Sequence, residues 1–383
     1  MKLSAGGAPQ TLPHSPVRVA FGPGRLEEVG TLAQAEGARR VLLVTDHGLM
    51  ACGHARRAIT ALASAGLQVT TFPDVHENPT TRDVQAGVHA ATSANIDFII
   101  ALGGGSAMDC AKGTNLILTN GGQIADYAGI NKASKPLLPL LAIPTTAGTG
   151  SEAQSFALIS DENTHLKMAC GDRRPPAEGG LRPRIAILDP ELMRTVPQHI
   201  AATAGIDAIA HAVETAGTRG RTPESSHYAQ AAWRNLSAAF ESFLADREDA
   251  PAAVAMLHGA HFAGIAIELS MLGAAHACAN PLTAQFGIAH GAAVGLMLPH
   301  VVRFNQAATD NPYSALHDDP QGLQGEVDRL GGIAGIPLRL TDYHITAEHL
   351  PALAEQAAAQ WTAAHNPRPV GRDELLVLYR AAL

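Results

Sequence analysis

Aromatic residues make up only 4% of this 383-residue chain, and its four cysteines, at 52, 110, 170 and 278, form no CxxC pair. Thiols so scattered exclude a disulfide framework and a thiolate zinc site, and they suit a reducing compartment. No Lys/Arg-rich block relieves the formal charge of −8 that 27 basic and 35 acidic side chains leave. That absence argues against nucleic acid and anionic membranes as partners and for a small molecule. The N-terminal MKLSAGGAPQTLPHSP lacks the apolar core of a signal peptide, and the long apolar stretches are interrupted by charge or Pro. A cytoplasmic protein is expected. Internal repeats and low-complexity tracts are also missing.

What is present divides into two styles. From Val17 to about Pro190, short β-rich runs alternate with helical patterns, as in a sheet with helices on its faces. VLLVTD (41–46), DFIIALGGG (97–105), LLPLLAIPTTAGTGSE (137–152) and RIAILDP (184–190) read as strands buried on both sides, each nearly unbroken and apolar. After Pro190 the chain is long, Ala-rich and helical in period. The expected domains are therefore 1–190, α/β, and 191–383, helical. GDRRPPAEGG (171–180) reads as a surface loop.

Two local patterns carry chemistry. In IDFIIALGGGSAMDCAKG a strand runs into Gly103, Gly104 and Gly105, which let the backbone turn and approach a ligand closely. Ser106 with Asp109 has capping-box spacing, and the N-terminus of the helix it would start suits a pyrophosphate. A tight turn with no ligand is the plainer alternative, and the sequence is not the G-x-G-x-x-G fingerprint. Asp46, ending an earlier strand, either accepts from an adenosine ribose, favouring NAD over NADP, or caps the turn that follows. Separately, Asp207 and His211 stand four apart on one helical face, His276 sits in an apolar helix, and His290 lies beside Gly291 after a break at Pro281 and Gly287. Any one of 18 histidines is more often a satisfied structural residue than a ligand. Together, one carboxylate and three imidazoles would suit Fe(II), Zn(II) or Co(II).

VTDHGL, ENPT (77–80), GGGSAMDCAK, IPTTAGTGSE, LDPEL, GIDAIAHAVE, the His276 to His290 segment, LMLPHVVRFN and the closing NPRPVGRDELLVLYRAAL together resemble the iron-dependent (group III) alcohol dehydrogenases over nearly the whole chain. The resemblance implies an α/β N-terminal nucleotide-binding domain, an all-α C-terminal metal-binding domain of dehydroquinate synthase-like architecture, and an active site in the cleft between them. It implies hydride transfer between NAD(H) and a small alcohol or aldehyde, with Fe(2+), or Zn(2+), as the metal, in a homodimer or higher homo-oligomer. Asp207, His211, His276 and His290 take its metal-ligand positions. Asp46, Asn78, Gly104, Gly105, Ser106, Thr145, Thr146, Thr149 and Lys167 match positions that line the dinucleotide.

Relatives often carry HAxxH, whereas Asn280 stands four residues after His276 here. An asparagine cannot titrate, so it would orient substrate or nicotinamide rather than relay a proton, or else cap the helix before Pro281. A lyase resembling dehydroquinate synthase would need cationic residues that the Ala- and Gly-rich metal segments lack. A redox-inactive metal or nucleotide binder is the non-enzymatic alternative.

Overall fold

The computed structural model describes residues 3–164, 166–306, 311–317 and 319–383. Ten strands are formed among them: β1 (Gln10–Thr11), β2 (Arg18–Phe21), β3 (Arg40–Val44), β4 (Gln68–Phe72), β5 (Phe98–Gly103), β6 (Gly129–Ile130), β7 (Leu140–Pro144), β8 (Phe156–Ser160), β9 (Lys167–Gly171) and β10 (Ile185–Leu188). The main sheet has the order β1-β2-β10-β7-β5-β3-β4, parallel except for β1. Its strands read as unbroken apolar runs because successive residues serve opposite faces. Val41 and Leu43 join Leu62, Ile100 and Ile143 in one core, while Leu42 and Val44 join Ile99, Ala101 and Met108 in the other. Five helices accompany the strands: α1 (Val29–Ala35), α2 (His47–Ala51), α3 (His54–Ser64), α4 (Thr81–Ser93) and α5 (Gly105–Asn120). A smaller sheet of order β6-β9-β8 completes this unit.

The strand order reverses between β3 and β5: β4 lies beyond β3 on one side, and β7 and β10 lie beyond β5 on the other. Ligands of open α/β sheets bind outside the carboxyl ends of strands at such a switch point. Asp46 follows β3 there, and Gly104, Gly105 and Ser106 follow β5.

The second compact unit is helical: α6 (Gln198–Gly217), α7 (Pro223–Ala245), α8 (Ala250–Leu269), α9 (Ala274–Phe286), α10 (His290–Gln306), α11 (Pro320–Ala334), α12 (Leu350–Ala358) and α13 (Arg372–Ala381). α8 has the length and hydropathy to cross a membrane, yet 78% of its apolar window is buried within the fold, as in a core helix.

Several expectations are corrected. The first unit comprises Met1–Thr146 and Ser151–Val196, the second Ala147–Gly150 and Pro197–Leu383, so the division falls after Val196 rather than after 190. Residues 190–196 stay with the sheet because the Asp189 carboxylate accepts from the Gly24 and Leu26 N–H groups and Thr195 Oγ1 pairs with His54 Nε2 at 2.9 Å. Residues 147–150 go with the helices because a Cβ on Gly148 would stand 2.9 Å from Ala204 Cβ, and one on Gly150 2.5 Å from Gly264 Cα. GDRRPPAEGG does reach the surface at Arg173, Pro175, Ala177 and Glu178, but it is anchored at both ends: Asp172 is buried against Arg174, and Gly179 and Gly180 are buried too.

Candidate functional site

α6 is buried on nearly every side, and it carries Asp207 and His211 one turn apart. α9 delivers His276 in its first turn, and His290 is the first residue of α10. Gly291 explains how α10 reaches α6, since any Cβ there would meet the Thr203 carbonyl oxygen at 2.0 Å and Asp207 Cβ at 3.2 Å. Asp207 Oδ1 consequently lies 3.5 Å from His211 Nε2, 3.4 Å from His276 Nε2 and 4.0 Å from His290 Nε2. The rings of His211 and His276 stack with centroids 4.8 Å apart. Asp207, His211 and His276 are buried and His290 is partly exposed, leaving the nest one accessible side.

The separations favour an ion over a proton. Charge-assisted hydrogen bonds run to about 2.7–2.9 Å, whereas tetrahedral ligands about 2.0–2.1 Å from a metal stand about 3.3 Å from one another. Asp207 Oδ1 and His276 Nε2 are buried without a hydrogen-bond partner among the described residues, an arrangement proteins avoid unless something else satisfies such atoms. The residues therefore fit a divalent cation. Electrostatics agree: burial would raise the Asp207 carboxyl, but the facing His211, His290 and His276 hold it well below the usual carboxylate range. Burial depresses His211, while for His276 the facing Glu214 and Asp207 carboxylates outweigh burial and raise the ring to about 9, so the ring gives up its Nε2 hydrogen only in exchange for a cation.

The turn after β5 gathers residues of the first unit. Gly103 has φ 154, and a Cβ there would meet Ala107 Cβ at 2.7 Å and come within 3.7 Å of Asp46 Oδ2. Asp46 caps α2, accepting from the Leu49 N–H at 2.9 Å with Oδ1. Thr145 donates its N–H to the Gly103 carbonyl at 3.0 Å, and Thr146 flanks Gly104. The Asn78 N–H donates to Ser106 Oγ at 3.2 Å from a backbone with φ 53. Asp46, Asn78, Gly104, Gly105, Ser106, Thr145 and Thr146 are thus neighbours around one turn. Lys167 opens β9 opposite Ser160 and exerts its charge on Asp109. Thr149 lies in the segment that packs with the helical unit.

Two local expectations fail here. The helix begins at Gly105 with Gly104 as its cap, and Ser106 and Asp109 form no capping box. Asp109 is instead half-buried, accepting from Ser151 Oγ at 2.8 Å. The fully buried Lys112 Nζ donates to the carbonyls of Ser151, Gln154 and Phe156 at 2.7–2.9 Å, so these two motif residues anchor the 151–156 loop to α5. Nor does α9 stop at Asn280: it runs through Pro281 to Phe286 and is capped by Gly287. Burial of Ala277, Cys278, Ala279, Pro281 and Leu282 carries the helix past the proline, overriding its propensity. Asn280 Nδ2 donates to Gln360 Oε1 at 2.9 Å.

Compared with known proteins, residues 16–190 match the model of the iron-containing alcohol dehydrogenases, and 201–383 match that of the Fe-containing alcohol dehydrogenase family, C-terminal. The chain is 31% identical to the NAD-dependent methanol dehydrogenase of Bacillus methanolicus over 96% of its own length and 98% of that protein. The crystal structure of 1,3-propanediol oxidoreductase superposes with a TM-score of 0.90 at 30% identity, covering 95% of this chain and 97% of that one. Sulfoacetaldehyde reductase from Bifidobacterium kashiwanohense, solved with NAD+, superposes with a TM-score of 0.86 at 29% identity, covering 100% and 99%. With both halves matched in order and a donor set suited to a divalent cation, the chain belongs to the iron-containing alcohol dehydrogenase family and is a metal-dependent oxidoreductase acting with NAD(H) on a small alcohol and aldehyde pair.

Proposed function

We propose that Asp207, His211, His276 and His290 hold the metal, iron by preference with zinc accepted by the same donors, and that the turn around Gly104, Gly105 and Ser106 binds the dinucleotide with Asp46, Asn78, Thr145, Thr146, Thr149 and Lys167. The observation that carries the reading is the convergence of the buried Asp207 carboxylate with the imidazoles of His276 and His290, His211 Nε2 standing 3.5 Å from the same oxygen, at a place where no protein hydrogen satisfies Asp207 Oδ1 among the described residues. A divalent ion there supplies Lewis acidity toward the oxygen of the alcohol or aldehyde. Asp207 is the only anion of the set, so with a divalent ion bound the cluster would stay net positive and would favour negative charge developing on the substrate oxygen. The glycines keep the backbone after β5 bare for close approach of the pyrophosphate, and the free N–H groups that open α5 face the same end of the sheet. Asn280, one turn after His276, orients substrate or nicotinamide and cannot itself relay a proton. The four unpaired cysteines support a reducing, cytoplasmic setting, and a homodimer or higher homo-oligomer is the expected assembly.

NAD(H) is the proposed cofactor, with NADP(H) disfavoured, because the Asp46 carboxylate sits at the switch point, where it would repel a 2′-phosphate. Initial rates of the iron- or zinc-reconstituted enzyme with an aldehyde series should favour NADH. Asp46→Gly should raise kcat/KM for NADPH relative to NADH, but it also removes the side-chain cap of α2, at a cost of about a few tenths of a kcal/mol. Asp46→Asn keeps the cap and removes only the charge, so it should shift the ratio in the same direction. An unchanged NADPH to NADH ratio in both variants overturns the role of Asp46.

A further inference from the structure

Glu214 lies on α6 seven residues after Asp207 and three after His211, which puts all three on adjoining positions of one helical face. Its side chain is buried and doubly engaged. Oε1 accepts from the Ala275 N–H at 2.8 Å, and Oε2 faces His276 Nδ1 within hydrogen-bond distance. Ala275 and His276 belong to the first turn of α9, whose N–H groups lack partners within the helix. Gly273, just before it, is glycine for space: a Cβ would stand 3.1 Å from both Glu214 Oε1 and Asn366 Oδ1. Asn366 continues the network, accepting from the Ala274 N–H at 3.3 Å and donating to Asn305 Oδ1 at 2.7 Å, while Asn305 donates to Tyr313 Oη at 2.8 Å.

We infer that Glu214 is a positioning residue for the metal centre: it holds the His276 ring with the proton on Nδ1, so that a bare Nε2 faces Asp207 and the ion. This rests on the metal assignment proposed above. A carboxylate only accepts, so the ring nitrogen facing it carries the hydrogen, and a neutral imidazole then has its lone pair on the other nitrogen. Carboxylates behind ligating histidines fix ring orientation and raise basicity. Burial leaves water little room to substitute. A carboxylate is needed because both oxygens are used. Glutamine has one acceptor: if that oxygen serves the Ala275 N–H, its NH2 faces Nδ1 and drives the proton to Nε2, and if it serves Nδ1, its NH2 opposes the N–H of Ala275.

The test measures zinc affinity of the full chain by chelator competition, with Co(II) visible absorption reporting ligand number. Glu214→Gln should weaken zinc about 10–100-fold, and Glu214→Asp, which keeps both acceptor oxygens on a shorter stem, should recover part of that loss. Tyr313→Phe loosens the far end of the network without touching the ring, so it should lower Tm while keeping parental zinc affinity. Parental zinc affinity and an unchanged cobalt spectrum in Glu214→Gln overturn the inference, and so does an equal zinc loss in Tyr313→Phe, which would make the effect one of general stability. His276→Ala separates this from the underlying reading. If that variant keeps parental zinc affinity, the metal assignment itself fails; if it loses zinc while Glu214→Gln does not, only the role of Glu214 fails.

Discussion

Asn280 shows how one amide can serve two purposes, and how they can be told apart. It follows His276 by one turn of α9, and its Nδ2 is tied to Gln360, the residue before the short 3-10 turn Trp361–His365. If it acts on substrate or nicotinamide, Asn280→Ala lowers kcat or raises KM, and Asn280→His adds an ionisation near neutral pH to the rate profile, where an unperturbed imidazole titrates at about 6.5. If the amide matters only as a tie, Gln360→Ala reproduces the Asn280→Ala effect in rate and Tm alike. Steady-state kinetics over pH on the three variants therefore decide the matter, and parental kinetics in all three, with only Tm altered, would remove Asn280 from the site. The residue also marks a limit of sequence reading. A proline at the next position signals a helix end locally, and what keeps α9 going is burial against neighbours distant in sequence.

At the level of elements, the strands were the most legible part of the chain, because a parallel strand covered on both faces must be apolar throughout and the ends of such runs are where Asp46 and Gly103 stand. That Asp207, His211, His276 and His290 would come together was legible from helical spacing and family resemblance; Glu214 was present in the same GIDAIAHAVE segment but gave no signal of its contact with His276, which lies 62 residues onward. Ser106 and Asp109 misled for a related reason: S-x-x-D spacing is common to a capping box and to a helix whose Asp bonds elsewhere, and the deciding group is Ser151, 42 residues away. The placement of residues 147–150 was equally invisible, because it depends on glycine meeting glycine. Gly150 has φ 64 and packs directly on Gly264 of α8, where an added Cβ would stand 2.5 Å from the Gly150 carbonyl oxygen. Gly264→Ala should gain helix propensity yet still lose about 1–3 kcal/mol of stability through overpacking. Urea denaturation of the variant checks this, and an unchanged or raised midpoint would show that the two backbones part without cost.

For the molecule as a whole, the two proposed ligands draw mainly on different compact units, Thr149 being the one proposed dinucleotide residue that goes with the helices, and this separation can be measured. The proposed metal donors come from α6, α9 and α10, while Asp46, Asn78, Gly104, Gly105, Ser106, Thr145 and Thr146 belong to the α/β unit. A ligand that binds only the folded state stabilises it by RT ln(1 + [L]/Kd), about 2.7 kcal/mol at 100 times Kd, and slows exchange of amides that are exposed only when its site opens by a corresponding factor of about 100. Stripping the metal with a chelator removes the partner of buried donors that do not hydrogen-bond one another well, so the helices carrying them should open more readily. Hydrogen exchange read by mass spectrometry should then show faster exchange in α6, α9 and α10 after chelation, restored by zinc, with peptides covering β3, β5 and α2 little changed. NAD+ added to the chelated protein should do the reverse, slowing exchange at the start of α5 and in α2 while leaving the middle of α6 as it was. Metal-dependent protection that appears in β3 and β5 but not in the three helices would sink the ligand assignment, and NAD+ protection confined to the helical unit would sink the placement of the dinucleotide at the β3 and β5 strand ends.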